Sequence, residues 1–258
     1  MALKWTQFPH GGQAYARDVG DLKKQWPRLH RGDCEPVPKD ATAMEAWQAF
    51  HAGDFARAVE RGRAAKASGV NAAVKAQVVY AQYLERDDKA RIALLGEAAA
   101  WADEQRANKA KDANAHYLYA FAMGRYSQGI SVAKALAQGL GGKIKDALTT
   151  ALKLEPKHAD AYIAYGAYQA EVIDKVGGII AGVTYGAKKD SALEQFEKAM
   201  KLNPDSAVAR IEYANGLIML FGKSRLDEAT RLYEEAAAIE PADAMERLDV
   251  ERAKAELE

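Results

Sequence analysis

Ala159-Asp160-Ala161-Tyr162-Ile163-Ala164-Tyr165-Gly166, followed after a glycine-rich interval by Ala192-Leu193-Glu194-Gln195-Phe196-Glu197-Lys198-Ala199 and then Pro204, is the stretch on which the fold turns. Ala192, Phe196 and Ala199 fall on one face of a helix, and Pro204 stands where that helix must stop. The spacing recurs before Pro156 as Ile144, Leu148 and Ala151, and before Pro241 as Ala229, Tyr233 and Ala236. The first half recurs as well. Ala113-Asn114-Ala115-His116-Tyr117-Leu118-Tyr119-Ala120 lies upstream and Ala207-Val208-Ala209-Arg210-Ile211-Glu212-Tyr213-Ala214 downstream. The starts at 113, 159 and 207 are 46 and 48 residues apart, with Tyr119, Tyr165 and Tyr213 in register. An internal repeat of this size predicts a solenoid of helix pairs, each burying its apolar face against the next.

The pattern resembles the tetratricopeptide repeat (TPR) family, whose motif sets an aromatic, two small residues, a large residue, alanine and proline at fixed positions. Tyr162, Gly166, Ala192, Phe196, Ala199 and Pro204 match all six, with an insertion between the helices. Ala214, Ala229, Tyr233, Ala236 and Pro241 match in the next repeat, where Arg210 replaces the aromatic. In the 113–156 copy Ala120, Leu148, Ala151 and Pro156 fit, while His116 and Ile144 depart. Gly53-Asp54-Phe55-Ala56-Arg57-Ala58 looks like the family's inter-helix turn, although Gly62 then replaces the large residue. The 70–107 segment fits two helices without a clear register. The resemblance covers about residues 40–258 and implies an all-α, TPR-like right-handed helical solenoid of 4–5 helix pairs with terminal caps. The chain is also faintly similar to the T component of tripartite ATP-independent periplasmic transporters and to the regulator of microtubule dynamics proteins.

Composition agrees. Among the 258 residues, 36 Lys+Arg balance 36 Asp+Glu, which speaks against nucleic-acid binding. Alanine, about a fifth of the chain, favours helices and close helix contacts. A single cysteine, Cys34, excludes an intramolecular disulfide and a multi-cysteine zinc site. No apolar run approaches a membrane span. The opening Met1 to Gly12 lacks the apolar core of a secretory signal, so a cytoplasmic location is the expectation.

Three divisions are expected. Residues 1–38 form an N-terminal segment, 39–241 the repeat array and 242–258 a capping helix. In the first, Gln13 to Trp26 reads as one amphipathic helix with Tyr15, Val19, Leu22 and Trp26 on a stripe, and Pro27 to Pro38 as extended chain. That segment either caps the array or lies in its groove. In the last, Met245, Leu248 and Leu257 are the expected apolar contacts. Two insertions near 126–145 and 172–190 hold eight of the 20 glycines, and their central segments 129–142 and 176–186 are nearly uncharged. They either cover one another, or form an apolar lip over a ligand or partner, or touch a membrane surface.

In the TPR family the first helix of each pair lines a concave groove. Carried over by position, this gives Trp47, Phe50 and His51 in the front repeat, and Asn114, Tyr117, Phe121 and Arg125 in the next matched one. It gives Ile163 and Glu171 in the third, and Ile211, Asn215 and Met219 in the last. The resemblance implies a non-enzymatic adaptor that binds a protein or peptide in this groove. A small apolar molecule or lipid beneath the insertions is the alternative. One TPR subtype grips a C-terminal carboxylate with Lys, Arg and Asn; only Asn215 matches that set, which argues against such a clamp.

No enzyme signature emerges. Gly222-Lys223-Ser224 resembles the end of a phosphate loop, but position 217 is leucine and the context is helix to helix. His10, His30, His51, His116 and His158 show no i, i+4 pair, so no metal site is expected. His158, in a turn after Pro156, is expected at the surface. No cofactor is implied.

Overall fold

The computed structural model describes residues 5–258, and the fold is all-α, with no strand among the described residues. Contacts divide it into two units. The first holds the chain up to His30, Glu35–Ser131 and Ala242–Met245. The second holds Arg31–Cys34, Val132–Pro241 and Glu246–Glu258.

Helix starts in both units share one chemical rule. Asp40, Asp112, His158 and Ser206 each precede a helix and accept a hydrogen bond from the amide three residues on, at Ala43, Ala115, Ala161 and Ala209. Such caps satisfy one of the four unpaired N–H groups at a helix start. The alanine at each third position is fully buried, so the neighbouring helix can approach closely at that turn. The sequence Ala-x-Ala at 41–43, 113–115, 159–161 and 207–209 is the trace of this rule.

The first unit contains α1 (Val19–Leu29), α2 (Ala41–His51), α3 (Phe55–Ala64), α4 (Val70–Tyr83), α5 (Asp88–Asn108) and α6 (Ala113–Gln128). Consecutive helices from α2 to α6 pack on one another, and α4 also packs on α6. Gly53, at φ 83°, makes the α2–α3 turn in a conformation that glycine adopts at no steric cost. Gly62 explains the missing large residue of the front repeat. A Cβ there would lie 2.7 Å from the Gly69 carbonyl oxygen and 2.8 Å from the Ala73 Cβ. Helices α3 and α4 meet backbone to backbone at that point, where a bulky side chain has no room.

The second unit contains α7 (Val132–Ala137), α8 (Leu140–Leu154), α9 (Ala159–Val176), the single turn α10 (Gly178–Ile180), α11 (Lys189–Leu202), α12 (Ala207–Phe221) and α13 (Leu226–Ala237). It also takes in most of α14 (Ala244–Ala255). Phe196 is its knob. It is fully buried, and a Cβ at Gly166 or Gly216 would lie 2.9 Å or 2.6 Å from its ring. The Tyr213 ring stacks on it at 5.1 Å. Val250 and Ala253 of α14 join the same core as Ile211, Leu217 and Tyr233.

Four local expectations need correction. Gln13 to Trp26 is not one helix: a short 3-10 turn covers Gly12–Tyr15, and Asp18 then caps α1 through the Asp21 amide at 2.8 Å. Val19 is consequently exposed, whereas Leu22 and Trp26 are buried. Pro27 does not end the helix, which runs to Leu29, where stacking of Trp26 on His30 at 4.1 Å steadies the last turn. His158 is completely buried because its Nδ1 caps α9. At the C-terminus, Leu248 packs inward while Leu257 lies exposed beyond the helix end.

Candidate functional site

In the first unit, α1 and α2 place four aromatic side chains against one buried carboxylate. His51 Nδ1 lies 2.6 Å from Asp243 Oδ2, and His51 Nε2 lies 3.2 Å from His30 Nε2. Where the Asp243 carboxylate accepts, His51 Nδ1 is the donor, and the Nε2–Nε2 contact is a hydrogen bond with the proton on one of the two rings. Trp26 stacks on His30, and Trp47 meets the His30 ring edge-on at 4.7 Å. Both imidazoles and Asp243 are buried. The cluster therefore reads as a structural pin that joins α1, α2 and residue 243.

The pin positions the segment that follows α1. Trp26 Nε1 donates to the Glu35 carbonyl oxygen at 2.7 Å. The Glu35 carboxylate then accepts from Asn114 Nδ2 at 2.7 Å and from Asn71 Nδ2 at 3.1 Å. Asn71 is the second residue of α4 and Asn114 the second of α6, so the carboxylate meets the positive ends of two helices. Asp112, the α6 cap, also accepts from Asn71 Nδ2, at 3.3 Å. Because Nδ2 faces these carboxylates, Asn71 Oδ1 faces away, buried and without a hydrogen-bond partner. One turn further along α4, the Lys75 ammonium lies 5.8 Å over the Phe50 ring.

The residues carried over from the repeat pattern divide by exposure. Trp47, Phe50, His51, Asn114 and Tyr117 are buried in the first unit, and Ile163 and Ile211 in the second. Apart from Asn114, whose amide meets Glu35, these hold helices together and offer no surface to a partner. On α6, Tyr117 stacks on Phe121 at 5.9 Å, and the Arg125 guanidinium lies 5.7 Å over the Phe121 ring. Phe121 and Arg125 are half-buried and form an accessible ladder at i, i+4 spacing. In the second unit Asn215 accepts from the Tyr233 hydroxyl at 2.6 Å, Glu171 is half-buried and Met219 is exposed. Asn71 and Glu35 escape the repeat pattern. The shared Asn-Ala pair at 71–72 and 114–115 is the signal that would have set α4 in register.

Residues 31–34 lie on the start of α9 in the second unit. The Asp160 amide donates to the Gly32 carbonyl at 3.0 Å, and a Cβ at Gly32 would collide with the Asp160 carboxylate. Arg31 pairs with Asp205 at 2.7 Å on the surface. Burial, with lesser contributions from Glu155, Asp33 and Asp160, pushes the Cys34 thiol up to about 11. It stays protonated at neutral pH and is a poor nucleophile or metal ligand. No His/Cys/Asp/Glu group suited to a metal is present among the described residues.

With this geometry in view, comparison with known proteins defines the class. The solved structure of TTC0263, a thermophilic TPR protein of Thermus thermophilus, superposes with a TM-score of 0.57 at 15% sequence identity. The match covers 83% of this chain and 97% of that one, and it establishes a TPR-like fold. The family model for regulator of microtubule dynamics protein 1-3 matches residues 57–258, and the chain belongs to that family. Among curated proteins, no sequence matches it. No helix among the described residues is long and apolar enough to cross a membrane.

Proposed function

We propose that the protein is a non-enzymatic adaptor whose first unit binds an extended acidic segment of a partner protein across the starts of α4 and α6. The observation that carries this reading is the Glu35 carboxylate held by Asn71 and Asn114. The chain itself thereby supplies a model of the ligand: irregular backbone, a carboxylate at two helix starts, and prolines at 36 and 38 that keep it extended. Phe121 and Arg125 continue the surface along α6 as an aromatic and cationic pair, with Tyr117 buried beneath the Phe121 ring. The alternative of a small apolar ligand under the insertions gains little support, since their apolar side chains project outward.

Binding of a partner then requires Glu35 to leave. A tethered segment competes at an effective concentration in the millimolar range, so it masks weak ligands. A synthetic peptide with the sequence His30–Asp40 is the direct probe. Glu35→Ala is expected to raise the affinity for this peptide by about tenfold over the unaltered chain. Adding Asn71→Ala and Asn114→Ala to that variant is expected to abolish the gain. Calorimetric titration reads both, and equal affinities for all three chains would refute the proposal.

A further inference from the structure

The two insertions of the second unit adjoin one another. The Tyr185 ring lies against the first turn of α8, so close that a Cβ at Gly141 would meet it at 2.8 Å. Beyond this contact they do not cover each other. Ile179 and Val183 are each 85% exposed and Ile180 is 55% exposed, while Val132 and Leu136 of α7 are also exposed. A π-helical turn at Ala181–Tyr185 holds the second insertion, closed by the Ala187 amide on the Ala181 carbonyl at 3.1 Å. Such turns are uncommon and recur at functional sites. Gln169 Oε1 accepts from the Lys188 amide and ties the insertion's end to α9. The apolar side chains are thus presented on an anchored loop.

Their charge surroundings have one sign. Residues 129–145 contain Lys134, Lys143 and Lys145, and residues 175–189 contain Lys175, Lys188 and Lys189, with no acid in either stretch. Asp146, Asp174 and Asp190 stand at the borders, Asp174 beside Lys175 at 3.5 Å. The Lys189 ammonium is turned inward to the Leu220 carbonyl and the Phe221 ring. Setting these six lysines aside leaves 30 basic against 36 acidic residues in the rest of the chain. The two insertions together thus carry a local excess of positive charge.

Projecting aliphatic side chains with lysines around them and no acid between them match the interface of an anionic bilayer. Apolar groups enter the acyl boundary while ammonium groups meet the lipid phosphates and carboxylates. We propose that this face docks the protein on anionic lipid membranes from the side, without spanning them. This inference is independent of the peptide reading of the first unit.

Vesicle flotation of the full chain tests it, using phosphatidylcholine alone and phosphatidylcholine with about a third phosphatidylserine. The chain is expected to float with the anionic vesicles at low salt, at least about tenfold more than with neutral ones, and to be released as salt rises. The double variant Ile179→Ser, Val183→Ser alters only exposed side chains. It is expected to keep its helical circular dichroism and lose most of the flotation. Lys143→Glu with Lys188→Glu is expected to weaken flotation and flatten its salt dependence. Absence of flotation with anionic vesicles, or equal flotation of the Ile179→Ser, Val183→Ser chain, would overturn the proposal. So would a protein partner lost by that variant when no vesicle binds, which would assign the face to protein.

Discussion

Phe196→Ala is expected to destabilise the protein by about 3–5 kcal/mol, the cost of emptying a fully buried aromatic site. The surroundings cannot collapse into the space, because Gly166 and Gly216 supply backbone, not side chains, on both sides of the ring. Stacking on Tyr213 is lost as well. The reciprocal change has its own signature. Gly216→Ala places a Cβ 2.6 Å from the Phe196 ring in the intact protein, so it overpacks the site by about 1–3 kcal/mol. In the Phe196→Ala background the same methyl enters a void and costs less. Urea denaturation of the four chains gives the coupling directly. Additive losses would mean that Phe196 does not wedge between α9 and α12.

The second large effect concerns the histidine pin. His51→Ala removes the 2.6 Å contact to the buried Asp243 carboxylate and the 3.2 Å contact to His30. It also empties a ring that Trp26, Trp47 and Phe50 surround. Loss of a buried partner to a carboxylate costs about 3–5 kcal/mol, since the charge stays in a low-dielectric site. Asp243→Ala is expected to cost a similar amount, and the double variant much less than the sum. Thermal unfolding measures all three. A His51→Ala chain as stable as the unaltered one would show that the network contributes nothing to the first unit.

These two residues mark what the sequence discloses and what it hides. Phe196 is legible because it lies at a fixed spacing from Ala192, Ala199 and Pro204, and the same spacing recurs at Leu148 and Tyr233. Periodicity reports which side chains share a face, and that suffices for the fold. His51 also falls on a repeat position, yet its partners are His30 and Asp243, 21 and 192 residues away. No local pattern encodes such a meeting. The same holds for Glu35, whose two asparagines come from α4 and α6. Repeat positions that line a groove in an open array are buried at Trp47, where Trp26 and His30 pack, and at Phe50, where Phe55 and Lys75 pack. The insertions were visible as glycine-rich and apolar, but their exposure depends on how Tyr185 meets Gly141.

The family assignment and the TPR-like fold fix the class of molecule; the use of its first unit rests on Glu35. The most direct measurement follows the side-chain amide resonances of Asn71 and Asn114 by NMR in the Glu35→Ala chain while the His30–Asp40 peptide is added. The account predicts that Glu35→Ala shifts both resonances and that saturating peptide returns them toward their positions in the unaltered chain, as a second carboxylate takes up the same two N–H donors. Peptide binding that leaves both amides unmoved, or no binding at all, would contradict it.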